Sequence, residues 1–257
     1  GGDRVKVTTL AGPDADAHEF APSPAHAKAV LNARLFVVNG LDFEPWAQKL
    51  AKSAGYKGET LVASKGVTPR ETAAEAGHAH SDIDPHAWQN PLNAVLYVNN
   101  IAAALAKVDP NGAPSYQANA TAYAKQLRDF DAQAKSQFDA IASAKRKVIT
   151  SHDAFGYLAA RYGISMLAPE GVNTDTQPSA KHVAELIRQI KREKIKAVFV
   201  ENMSNPKLIS QLSKDVGVTV GATLYSDALS NASGPAATYL QMMNHNLTQL
   251  AAAMKLN

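Results

Sequence analysis

The chain has 257 residues, of which 46% are apolar and 19% are charged, and its net charge is +3. A chain of this length and apolar content can form two modest domains, each with its own core. The small net charge does not predict a nucleic-acid surface, and no run approaches the ~20 apolar residues of a membrane span. No cysteine is present, so any metal site must be built from histidine and carboxylate.

The first third of the chain alternates between strand and helix patterns. β-branched and apolar runs predict strands, whereas Ser23-Pro24 and Glu44-Pro45 are typical helix starts. The predicted strands cover 5–10, 35–38 and 60–63, and the predicted helices cover 23–32 and 44–54. This alternation favours an α/β fold with parallel strands.

A polar segment and two helices follow. Residues 66–84 have little apolar content and predict a mobile loop, after which Asn90-Pro91 starts a helix. From Pro114 to about residue 143 the apolar positions are three or four residues apart, as in one long amphipathic helix. A helical hairpin is the alternative, but residues 126–135 contain neither glycine nor proline to break the helix.

The last part of the chain repeats the α/β alternation. Predicted strands lie at 148–150, 164–167, 197–200 and 218–224, and predicted helices lie at 153–162, 179–192, 206–216 and 236–254. We therefore expect an N-terminal α/β lobe at 1–113, a linking helix at 114–143 and a C-terminal α/β lobe at 144–257.

Four good metal ligands occur at the ends of predicted elements. His18, His152 and Asp227 each follow a predicted strand, and His86 precedes a helix start. Ligands bind at the carboxyl ends of parallel strands. Any one of these residues alone is more simply a polar loop residue. Together they predict a metal site with three histidines and one carboxylate.

Other polar residues have possible supporting roles in that site. Asp84 either orients the His86 ring by accepting a hydrogen bond from its second nitrogen or only caps the turn, and Trp88 is expected to shield the site from water. His78 and His80 lie in the polar loop, where they form an auxiliary metal-collecting pair or are simply exposed.

Several segments together resemble a known family. They are 16–24, 151–157, 225–227 and 84–91, the last with the pattern Asp-Pro-His-x-Trp-x-x-Pro. Over essentially its whole length the chain is similar to the zinc/manganese class (cluster A-I) of substrate-binding proteins of ABC transporters. The resemblance is closest to periplasmic zinc-uptake binding proteins.

The resemblance implies two lobes, each with a mainly parallel sheet flanked by helices, bridged by one long rigid helix. It implies that His18, His86, His152 and Asp227 bind the metal in the cleft between the lobes. It also implies that 66–84 is a short version of a histidine-rich loop. Family members carry a strand and a helix before the segment that begins here at Gly1, so we expect these first elements of the N-terminal lobe to be absent.

The function implied is capture of Zn(II) outside the cytoplasm and its delivery to the membrane permease of an ABC transporter. We expect a periplasmic monomer whose export signal has been removed, with no nucleic-acid partner and no membrane span. Three imidazoles favour zinc over manganese, although a manganese carrier of the same family is an alternative.

Four protein ligands would close a tetrahedral zinc site, so we predict a carrier and not an enzyme. A zinc hydrolase in which Asp227 acts as a base is the competing hypothesis. Adhesion to a host surface has no specific sequence feature behind it.

Overall fold

The computed structural model describes residues 1–72, 83–174 and 178–257. These residues divide into two compact units. Unit 1 contains 1–12 and 17–131, and unit 2 contains 13–16 and 132–257. Both are α/β, and each is described separately below.

Unit 1 is built around a small parallel sheet. Strand β1 (Leu35–Val38) pairs in parallel with β2 (Glu59–Val62), so that Leu35 lies opposite Glu59. Helices α1 (Pro24–Leu31) and α2 (Pro45–Ser53) flank this pair. The core between these elements contains the side chains of Val30, Phe36, Ala47 and Leu50.

Helix α3 (Pro91–Val108) and the part of helix α4 (Ala113–Asp139) up to residue 131 extend this unit. Helix α3 begins after Asn90, whose side chain accepts a hydrogen bond from the Leu92 N–H. Helix α4 is continuous, so the long-helix prediction is confirmed and the hairpin alternative is wrong. It ends before the predicted residue 143. Tyr116 and Ala120 pack against Ala102 of α3.

Unit 2 also contains a small parallel pair of strands. Strand β5 (Lys147–Ile149) pairs with β6 (Ser165–Leu167). The helices of this unit are α5 (Gly156–Tyr162), α6 (Ala180–Glu193), α7 (Lys207–Val216) and α8 (Tyr239–Met254). Its core joins Ile149 to apolar side chains of α6 and α7, including Leu186, Ile190, Ile209 and Leu212.

Helix ends in unit 2 follow ordinary capping chemistry. The Ser179 side chain accepts the His182 N–H at the start of α6, and Gly163 and Gly217 take the left-handed conformation that ends α5 and α7. Among the described ranges, none of the helices is both long and apolar enough to cross a membrane.

The strand predictions for three segments need correction. Residues 5–10 form no strand but follow a short 3₁₀ helix, Gly2–Arg4. Val7 in this segment is 79% exposed. An alternating pattern forms a strand only where a neighbouring strand is available to pair with it, and this segment has no such pairing among the described residues. Segments 197–200 and 218–224 reduce to isolated parallel bridges, Ile149 with Val198 and Glu201 with Leu224.

The described residues of the predicted loop at 66–84 include two short strands. Strand β3 (Arg70–Glu71) pairs antiparallel with β4 (Ile83–Asp84). His78 and His80, the predicted auxiliary pair, lie outside the described residues. The short ladder fixes Asp84 immediately before the segment that carries His86.

A turn with unusual backbone angles follows β1. Gly40, Leu41 and Asp42 all have positive φ values, of 81°, 56° and 61°. A Cβ atom on Gly40 would lie 2.5 Å from Cγ1 of Val62. Glycine is therefore required at position 40 for its conformation and for its lack of a side chain.

We predict that Gly40→Ala destabilises unit 1 more than Gly66→Ala does. Gly66 also has a positive φ, of 86°, but a Cβ there would meet no atom within 4 Å. Strain alone should cost about 1–2 kcal/mol at Gly66, and the clash should add about 1–3 kcal/mol at Gly40. Denaturant unfolding followed by tryptophan fluorescence measures this, because both tryptophans, Trp46 and Trp88, lie in unit 1. Equal losses in the free energy of unfolding for the two variants would contradict the predicted clash at Gly40.

Candidate metal-binding site

In unit 1, His86 is held by a buried carboxylate. Its Nδ1 atom lies 2.8 Å from Oδ1 of Asp84, and the same oxygen accepts the backbone N–H of His86 at 3.0 Å. Both side chains are fully buried. The other Asp84 oxygen, Oδ2, forms an ion pair with Arg70 at 3.2 Å. Asp84 thus makes both of the contacts that the sequence suggested as alternatives, with the ring and with the turn.

The orientation of His86 leaves its second nitrogen pointing at His18. The two Nε2 atoms are 3.3 Å apart. Because a carboxylate accepts hydrogen bonds, Nδ1 of His86 carries the proton and Nε2 keeps its lone pair. A pair of imidazole nitrogens at this separation is a ready donor set for a divalent transition metal.

Aromatic rings surround this histidine pair. The ring of Phe43 lies edge-on to His18, with centroids 4.7 Å apart, and also contacts Trp88 at 4.8 Å. Trp88 in turn packs on His86 at 5.3 Å. These rings restrict the rotation of both imidazoles and remove water from their apolar faces.

The backbone next to His86 is fixed by a polar network at the end of β1. The Asn39 side chain donates a hydrogen bond to the Pro85 carbonyl at 3.0 Å and accepts one from the Tyr97 hydroxyl. The backbone N–H groups of Asn39 and Gly40 donate to Glu44. Burial raises the pKa of the Glu44 carboxyl, although these backbone hydrogen bonds oppose that shift.

Unit 2 contains a second pair of donors. Nε2 of His152 lies 3.1 Å from Oδ2 of Asp227, and both side chains are fully buried. His152 follows β5, and Asp227 follows the isolated bridge at Leu224. The two predicted ligands of this unit are therefore brought together at strand ends, with one nitrogen and one carboxylate oxygen facing each other.

Glu201, which was not predicted from the sequence as a site residue, lies at Nδ1 of His152, on the opposite side of the ring from Asp227. Oε2 of Glu201 is 2.6 Å from Nδ1 of His152. Oε1 accepts the backbone N–H groups of Ser151 and His152, at 2.8 and 3.0 Å. Its position in the sequence could have indicated a role in the site, since Glu201 directly follows the apolar run 197–200 and so lies at the end of a predicted strand.

The two carboxylates change the protonation of His152. Burial by itself would lower the pKa of the imidazole, but the negative charges of Glu201 and Asp227 raise that pKa well above its ordinary value of 6.5. These charges favour a proton on each ring nitrogen of the metal-free histidine.

The remaining histidines of the described ranges have local structural contacts. Nδ1 of His26 accepts the Ser23 N–H at the start of α1. The Nε2 atoms of His182 and His245 contact the carbonyls of Ala168 and Thr223, respectively. None of these three belongs to either donor pair.

Comparison with known proteins gives the family. The model of the periplasmic zinc-uptake complex component A (ZnuA) family matches residues 1–253. The chain belongs to this family. The ZnuA family supplies the metal-binding, substrate-binding components of ABC uptake systems, which work outside the cytoplasm and are not enzymes. The zinc hydrolase hypothesis is therefore wrong.

Similar proteins carry names that refer to different metals. The iron-binding protein YfeA of Yersinia pestis is 33% identical over 97% of this chain and 79% of its own length. The manganese-binding lipoprotein MntA of Bacillus subtilis is 30% identical over 99% and 84%. The structure of the periplasmic zinc-binding protein TroA of Treponema pallidum has a TM-score of 0.91 and 26% identity, covering 98% of this chain and 92% of that one. Family membership therefore gives metal binding without choosing between zinc, manganese and iron.

We predict that His152 in the metal-free protein stays protonated through neutral pH. Because folding raises its pKa, the imidazolium contributes stability below about pH 6.5, and this contribution is lost as the pH rises through the folded-state pKa. An NMR titration of the imidazole ring, assigned by the signal that His152→Asn removes, measures the midpoint. A midpoint at or below 6.5 would contradict the geometry around Nδ1 and Nε2.

Proposed function

We propose that this protein captures Zn(II) in an inter-lobe cleft and delivers it to an ABC-type permease. His18, His86, His152 and Asp227 are the proposed ligands. The supporting observation is a close pair of donor groups among the described residues of each unit, the Nε2 atoms of His18 and His86 in unit 1 and the nitrogen and carboxylate of His152 and Asp227 in unit 2. Two donors are half of a tetrahedral zinc shell, and the two pairs together complete it.

The architecture that suits this role has two lobes, at 1–113 and 144–257, joined by a rigid helix at 114–143. Each lobe would have a mainly parallel sheet flanked by helices. A metal that takes two ligands from each lobe would bind tightly only when both pairs engage it. It could be released when they separate. The protein would act as a periplasmic monomer.

The donor set supports zinc as the cargo. Three imidazoles and one carboxylate suit zinc well, whereas manganese prefers a shell with more oxygen ligands. The relatives named for iron and manganese keep a manganese carrier as the second candidate. Asp84 would support capture by keeping the proton of His86 on Nδ1, so that Nε2 can bind the metal.

The proposed ligands and the auxiliary pair can be separated by mutation. We predict that His86→Ala lowers zinc affinity by more than about 100-fold, the upper end of the loss caused by removing a mere supporting partner. The double variant His78→Ala/His80→Ala should have a much smaller effect, because these residues are not among the proposed ligands. A competition titration with a chromogenic zinc chelator gives both affinities.

The same titration with manganese as competitor tests the choice of cargo, since a zinc carrier keeps bound zinc in the presence of excess Mn(II). The exposed variant Glu185→Gln is a control for the general effect of a surface substitution on zinc binding. Equal losses for His86→Ala and the double variant would refute the ligand assignment. Displacement of zinc by equimolar manganese would favour the second candidate.

A further inference from the structure

Both carboxylate oxygens of Glu201 face His152 or the backbone beside it. Oε1 accepts two backbone N–H groups, those of Ser151 and His152, and Oε2 faces Nδ1 of His152 at 2.6 Å. The residue is 2% exposed. Glu201 therefore contacts the Nδ1 side of the His152 ring, whereas Asp227 lies at Nε2.

The environment of His152 makes the choice of nitrogen critical. Asp227 lies at Nε2 and, in the absence of a metal, favours a proton on that atom. A proton on Nε2 blocks metal binding, because the lone pair is then used. A carboxylate beside Nδ1 favours the tautomer with its proton on that atom, and Oε2 of Glu201 lies 2.6 Å from Nδ1.

The same arrangement occurs independently in unit 1. Asp84 uses one oxygen to accept the backbone N–H of His86, at 3.0 Å, and contacts Nδ1 of the same residue at 2.8 Å. Glu201 likewise accepts the backbone N–H of His152, at 3.0 Å, while contacting its Nδ1. Two units with different local folds thus hold a buried histidine by its own backbone and its Nδ1. This repetition indicates a positioning function and not chance packing.

We infer that Glu201 is a positioning residue that selects the tautomer of His152, keeping the proton on Nδ1 so that the lone pair of Nε2 can bind the metal. This inference rests on the proposed role of His152 as a ligand. The carboxylate also fixes the ring plane through its backbone contacts. In other metal sites, removal of such a partner lowers the metal affinity by about 10–100-fold.

The substitution Glu201→Gln tests the chemistry at nearly constant shape. If its amide oxygen keeps the two backbone N–H groups, its NH₂ group faces Nδ1 and donates to it, which forces the proton onto Nε2. The reverse orientation would place NH₂ against two backbone donors. Zinc affinity should therefore fall by about 10–100-fold.

The substitution Glu201→Asp separates positioning from packing. Aspartate keeps the carboxylate but is one methylene shorter. If the carboxylate selects the tautomer, the zinc affinity of Glu201→Asp should lie between those of the wild type and Glu201→Gln. A packing role predicts the opposite order, because the isosteric amide fills the space and aspartate does not. Circular dichroism and thermal unfolding confirm that each variant is folded, and Glu185→Gln serves as the exposed control.

Nitrogen-15 NMR of the His152 ring gives a readout that does not depend on affinity. We expect a proton on Nδ1 in the zinc-loaded wild type, and a proton on Nε2 with none on Nδ1 in metal-free Glu201→Gln. A wild type that binds zinc with its proton on Nε2, or an affinity of Glu201→Gln at or above that of Glu201→Asp, would overturn the inference. The wild-type spectrum decides the matter even if Glu201→Gln does not fold. Failure of the wild type to bind zinc would instead overturn the proposed function.

Discussion

When a buried histidine binds a metal through one ring nitrogen, the other ring nitrogen needs a hydrogen-bond acceptor for its proton. Both units provide such an acceptor, Asp84 for His86 and Glu201 for His152. Both carboxylates are themselves buried, so they need backbone N–H groups or a cation to compensate for the loss of water. Arg70 and the backbone of His86 serve Asp84, and the N–H groups of Ser151 and His152 serve Glu201.

The local folds supply these partners at strand ends. The ladder between β3 and β4 places Asp84, and β5 leads directly to Ser151 and His152. Glu201 and Asp227 follow the isolated bridges at Val198 and Leu224. Short strand pairs and bridges are sufficient for this purpose, because each needs only to fix the few residues at its end.

The sequence predicted the helices better than it predicted the strands. Helix signals are local, so Asn90-Pro91 and the spacing within α4 were enough. Strands depend on partners elsewhere in the chain, which explains why residues 5–10 were wrongly predicted and why 197–200 and 218–224 are reduced to bridges. Glu201 was missed because its role depends on the position of His152, from which it is separated by about fifty residues of chain.

Family membership and the donor set answer different questions about the cargo. The family identifies a metal-binding component of an ABC uptake system, while the names of relatives refer to iron, manganese and zinc. The choice among these metals therefore depends on the ligands themselves. Imidazole nitrogen at three of the four proposed ligand positions is the chemical basis for proposing zinc.

X-ray absorption spectroscopy of the zinc-loaded wild-type protein tests the central claim most directly, because it counts and identifies the atoms around the metal. The proposal predicts four ligands at about 2.0–2.2 Å, with the multiple-scattering signature of three imidazoles and a single carboxylate oxygen. A shell with two imidazoles or fewer would contradict the joint use of the His18 and His86 pair with His152 and Asp227.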